Sequence, residues 1–123
     1  MGGMSANHIS PSMLHLHTSE EGPAGIEVTV TGELDAGNIG WLRAWVVDTL
    51  SARHPAALTL DLSRLHFIDV AGVRALYELH AAAAAGGCTL TVSRAHEAVR
   101  LTFDRLGLEP EFAARAALGD RAA

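Results

Sequence analysis

The sequence predicts an α/β fold of two layers: a mixed sheet of four to five strands with its helices packed on one face. Three observations predict it. Four segments alternate apolar and polar residues with period two. Three others carry apolar residues at helical spacing. The two kinds follow one another in the order β-β-α-β-α-β-α. The alternation sets the layering, because a strand covered by helices on both faces reads as a continuous apolar run, whereas these keep a face of Thr, His, Glu or Asp. Thr29, Thr59 and Thr89 are therefore expected on an open, solvated side. A doubly wound sheet with a nucleotide crevice at a topological switch point is disfavoured for the same reason.

Taken in order, residues 1–12 are small and polar and read as a loose, disordered leader. The domain is expected over residues 13–118, with a short tail at 119–123. Leu14 and Leu16 alternate with His15 and His17, and Glu20 to Gly25 forms a turn. Ile26, Val28 and Val30 then alternate with Glu27, Thr29 and Thr31. Trp41, Leu42, Trp45, Val46 and Leu50 make the first helical stripe. A strand carrying Leu58, Leu60 and Leu62 follows, ending near Leu62 in a short turn. Val73, Leu76, Tyr77 and His80 begin the second stripe, which alanines continue to Ala84, and Gly86-Gly87 stops it. Arg74 and Glu78 are spaced to pair on its exposed side. Cys88, Leu90 and Val92 mark the next strand. Val99, Thr102, Phe103 and Leu106 mark the third helix, with Gly107 as its stop and a short helix expected over Glu111 to Leu118.

With 123 residues the chain has enough material for one modest core. Its formal net charge of -5, with nine Arg and no Lys, provides no electrostatic footprint for nucleic acid or anionic lipid. The lone Cys88 staples nothing, and a reducing, cytoplasmic setting fits. No segment is apolar for long enough to insert into a bilayer, and no cationic stretch followed by an apolar core suggests a signal peptide. His15 and His17 share a strand face without a carboxylate or thiol to complete a metal set, so neither metal nor other cofactor is expected. Nothing resembles a nucleophile elbow, and Gly86-Gly87 follows a helix where a phosphate cradle would precede one. His80 reads as a partly buried core histidine, and the Trp41/Trp45 pair as helix-to-sheet packing in preference to a partner hot spot.

The remaining signal is Phe67 to Val73, FIDVAGV. It sits where a strand gives way to a helix, so Asp69 is expected to cap that helix by accepting a backbone N–H two or three residues on. Gly72 is expected to let the turn close. Yet the residues after Asp69 are Val70 and Ala71, which have no reactive group.

The stretch LTLDLSRLHFIDVAGVRALYELHAAAAAGGCTLTV resembles the STAS domain, the fold of bacterial anti-sigma factor antagonists. Members carry D-L-S-x-V/L-x-F/Y-I/M-D-S/T-x-G-L/V here, and Asp61, Leu62, Ser63, Leu65, Phe67, Ile68, Asp69, Gly72 and Val73 match. Upstream, TGELDAGN matches G-x-L/I-D through Gly32, Leu34 and Asp35. Downstream, VRLTFDRLGLEPEF matches the family's last helix and L-x-G-L-x-x-x-F ending, so the resemblance runs from about Leu14 to Phe112. It implies a non-enzymatic protein that docks on an anti-sigma factor of the GHKL kinase type through Asp35, Asp69, Val70, Ala71, Gly72 and Val73. In family antagonists the Ser or Thr of D-S/T-x-G is phosphorylated by that partner. Val70 and Ala71 occupy both places where such a hydroxyl could sit, so the phosphoacceptor is lost and binding is expected not to switch. Ser63 is the nearest alternative acceptor, with a structural turn role preferred. A monomer or weak dimer is expected. The other readings are a STAS scaffold or accessory subunit of an ABC lipid-transport or stress-signalling complex, and a small-ligand or nucleotide sensor.

Overall fold

The computed structural model describes residues 5–9, 13–20 and 25–107. Five strands, β1 (Ser5–Ile9), β2 (Leu14–Glu20), β3 (Gly25–Leu34), β4 (Ala57–Ile68) and β5 (Thr89–Ala95), form one sheet in the order β1-β2-β3-β4-β5. The pairs β1–β2 and β2–β3 are antiparallel, and β3–β4 and β4–β5 are parallel. Helices α1 (Ile39–Arg53) and α2 (Val70–Ala85) make the two parallel crossovers, and α3 (Glu97–Arg105) follows β5. Both crossovers step the same way along the sheet, so the right-handed preference of such connections puts both helices on one face.

Burial agrees with that layering. Leu14, Leu16, Ile26, Val28, Val30, Leu58, Leu60, Leu90 and Val92 are buried, in one cluster with Leu42 and Val46 of α1, Val73, Leu76 and Leu79 of α2, and Val99 and Phe103 of α3. Trp41 and Trp45 are half-buried against this core, the packing role expected of them. On the other face Thr29 and Thr59 are half-exposed and Thr89 is exposed, with the Thr59 and Thr91 hydroxyls 3.5 Å apart. His80 is half-buried, its Nδ1 2.8 Å from the Leu90 carbonyl oxygen. Gly86 and Gly87 end α2, Gly87 at φ +87°, and Gly107 follows α3 at φ +67°, as the stops require.

Three expectations are corrected. The leader read as disordered contains β1, whose backbone pairs with the edge that β2 would otherwise leave open. The strand expected to end near Leu62 runs to Ile68. Its pairing with β3 slips twice, Thr29↔Asp61 to Thr31↔Arg64 and Gly32↔Leu65 to Glu33↔Phe67, each slip adding one residue to β4. Each extra residue reverses which parity points inward, so the buried positions pass from Leu58, Leu60 and Leu62 to Leu65 and then Ile68. Lost alternation made this stretch look like a turn. Finally, Glu78 pairs with Arg43 of α1 at 2.8 Å instead of with Arg74, because α1 and α2 lie side by side. The helix expected over Glu111 to Leu118, Phe112 and the tail at 119–123 lie outside the described residues.

Candidate functional site

At the C-terminal ends of β3 and β4 two connections meet: Asp35–Asn38, leading into α1, and Asp69, leading into α2. Asp69 is the N-cap of α2, and its Oδ1 accepts the Gly72 N–H at 2.8 Å. The capping expectation therefore holds, and the helix starts at Val70, three residues before the first apolar position of its stripe. The second carboxylate oxygen, Oδ2, accepts the Ala36 N–H at 3.2 Å. Asp69 also donates its own N–H to the Leu34 carbonyl at 3.2 Å. One residue thus closes both loops onto each other, and Asp35 and Asp69, distant in sequence, share one surface.

The β3–α1 loop is braced from inside by a residue whose role the sequence reading missed. Asn38 is 2% exposed; its Oδ1 accepts the Asp35 N–H at 3.0 Å and its Nδ2 donates to the Glu33 carbonyl at 2.9 Å. Asp35 Oδ1 accepts the Gly37 N–H at 2.9 Å, completing a short Asx turn. The available signal was an Asn three residues before a helical stripe, which the capping rules would have marked as an N-cap; Asn38 holds that position, but its side chain makes no cap bond and turns back into the loop.

The named residues divide by burial. Val70 is 52% exposed, Ala71, Asp35 and Asp69 are half-exposed, and Phe67 beside them is 47% exposed. Gly72 and Val73 are buried beneath them. Gly72 acts through shape: a Cβ there would lie 2.7 Å from Ile68 Cγ1 and 2.9 Å from the Leu34 carbonyl oxygen, so only glycine lets α2 sit this close to β3. Ser63 lies within β4, its amide donating to Asp61 Oδ1 at 2.9 Å; Asp61 is buried at the bulge. His15 and His17 are half-exposed on the open sheet face, and no group of three metal-ligating side chains occurs among the described residues. His96, also missed, caps α3 by accepting the Ala98 N–H on Nδ1 at 3.0 Å, with its ring edge-on to His66. Cys88 is buried, and that burial pushes its thiol up from the ordinary value.

What this arrangement offers chemically is a rigid, uncharged first turn of helix beside two carboxylates, with no nucleophile in it. The STAS domain family model matches residues 18–120. The chain belongs to the STAS domain family. Solved structures share the fold: the anti-sigma factor antagonist SpoIIAA in its unphosphorylated form is 20% identical with TM-score 0.65, the match covering 77% of this chain and 83% of that one. An anti-sigma factor antagonist from Mycobacterium paratuberculosis is 22% identical with TM-score 0.68, covering 85% and 87%. The murine anion transporter solute carrier 26 family member A9 is 18% identical with TM-score 0.59, covering 97% of this chain and 22% of the transporter. No curated protein matches the chain significantly in sequence. Among the described residues, no helix of this STAS domain is long and apolar enough to cross a membrane.

Proposed function

We propose that this STAS domain is an anti-sigma factor antagonist that docks on a GHKL-kinase-type anti-sigma factor through the first turn of α2 and the β3–α1 loop, without a phosphorylation switch. In this reading it works in the cytoplasm as a regulator of transcription and is not itself an enzyme. The observation that carries the reading is Val70: it is the first residue of α2, half-exposed, and flanked by Asp69 where that residue binds both loops. A hydroxyl there would stand at a helix N-terminus, where free N–H groups and the helix dipole tolerate a phosphate. Such a phosphate would bring about two negative charges into a contact. A valine at the same place presents an apolar contact that no kinase converts. Ser63, bonded through its amide inside β4, keeps a structural role.

The test is a pull-down from the native host followed by titration calorimetry of the wild type, Val70→Ser and Val70→Asp against the GHKL-type protein recovered. Val70→Asp is expected to weaken binding by a few kcal/mol, roughly tenfold per 1.4 kcal/mol, because a carboxylate is desolvated without a partner. Val70→Ser is expected to bind and to accept phosphate from the partner and ATP, while wild type acquires none at 70, 71 or Ser63. Unchanged binding by Val70→Asp would remove this turn from the interface. The scaffold or accessory-subunit reading would then take its place.

A further inference from the structure

We propose that the docking surface extends from the α2 N-terminus across the end of the sheet, along a row formed by Met13, Glu33 and Phe67, and that its occupant is a protein surface presenting a cationic side chain between apolar ones. This rests on the reading above and specifies its partner. The residue just before β2 and one residue each from β3 and β4 take adjacent positions in the row. The Glu33 N–H donates to the Met13 carbonyl at 2.9 Å, and Glu33 and Phe67 are register partners between β3 and β4. All three are exposed, Met13 70% and Phe67 47%, and Val70 stands two residues beyond Ile68 at the same end.

The backbone is bent to place them. Met13 is a non-glycine residue at φ +53°, a conformation that persists only where the surroundings impose it. The surroundings here are Gly32, at φ +111°, where any Cβ would collide with the Met13 carbonyl oxygen. The β3–β4 bulge falls between Gly32 and Glu33 and leaves Phe67 exposed between the buried Leu65 and Ile68. Left-handed backbone, a bulge and two exposed large apolar side chains thus coincide in one row.

Charge selects the occupant. Glu33 lies between the two apolar side chains, with Asp35 and Asp69 close by; against the exposed Arg64 of β4 these three carboxylates leave this end of the domain net acidic as well as apolar. Two copies meeting here about a twofold axis would bring carboxylates against carboxylates, and nucleic acid or anionic lipid would be repelled. A partner arginine or lysine set among apolar side chains would pair with Glu33 while Met13 and Phe67 exclude water from the pair.

The experiment titrates the full chain against the purified GHKL-type protein recovered above, with a thermal melt confirming that each variant is folded. Met13→Ser and Phe67→Ser are each expected to weaken binding about tenfold, as central apolar contacts do. Glu33→Gln is expected to weaken it severalfold and to flatten its dependence on salt between about 50 and 300 mM. Val47→Ser, an exposed apolar side chain on α1, should bind as wild type. If Val70→Asp weakens binding while all three row variants match wild type, the row is overturned and the proposed function stands. If the row variants weaken binding and Val70→Asp does not, the row stands and the α2 turn is displaced from the interface. Absence of any binding by the wild type, or a row-dependent dimer of this chain alone, overturns the row together with its partner.

Discussion

Replacing Gly72 with alanine should destabilise the protein although it puts a better helix former into a helix. The added Cβ would lie 2.7 Å from Ile68 Cγ1, 2.9 Å from the Leu34 carbonyl oxygen and 3.2 Å from Leu34 Cγ. Ordinary carbon contacts lie at about 3.5–4.0 Å, so relief requires a shift of roughly 0.5–1 Å. Little nearby can give way. Leu34 and Ile68 are buried, and the Leu34 carbonyl is fixed by the Asp69 N–H. The N-terminus of α2 must move instead, stretching the Asp69–Ala36 bond that joins the loops. Overpacking of this kind costs about 1–3 kcal/mol, and alanine returns at most about 1 kcal/mol of helix propensity. The expected net loss is about 1–2 kcal/mol, or a melting temperature lower by about 3–10 °C for a domain of this size. Urea unfolding and scanning calorimetry measure it directly. Gly40→Ala is the control: a Cβ there meets nothing within 4 Å, so the same change in α1 should stabilise by up to about 0.5 kcal/mol. A Gly72→Ala protein as stable as wild type would refute the claim that close approach to β3 is what this glycine provides.

Asp69→Ala removes the acceptor of both the Gly72 and Ala36 amides, so stability should fall by about 1–2 kcal/mol and hydrogen exchange should quicken at those two amides in particular. Arg43→Ala should change stability by less than about 1 kcal/mol, because the Arg43–Glu78 pair is solvated; a double-mutant cycle with Glu78→Ala gives the coupling. The buried Cys88 thiol should react with a disulfide reagent only as the domain opens. Its raised value also makes the unfolded chain lose this proton first. Above about pH 8.5 the unfolded state therefore binds fewer protons than the folded one, and stability should decline as pH rises, a slope that Cys88→Ala removes.

Much of this domain was written locally. Alternation in β2, β3, the first half of β4 and β5 determined which side chains face the helices, because side-chain direction in a strand repeats every two residues whatever lies across from it. Asp69 as a cap and the glycines closing α2 and α3 were legible for the same reason: each answers an unsatisfied group within a few residues of itself. The family resemblance supplied Asp35 and Asp69 as neighbours, but not the bond that makes them so. Asp69 Oδ2 reaches an amide 33 residues away, and Asn38 works from inside a loop whose shape is set by where β3 ends. Only the folded chain could decide the two slips in β4, since a bulge is defined by the partner strand's register and appears in the sequence merely as failed alternation. The same holds for β1, which gains its backbone bonds from β2, and for Glu78, which found Arg43 on a neighbouring helix. Contacts between segments far apart in the chain depend on how strands align and helices pack, and those are properties of the assembled sheet.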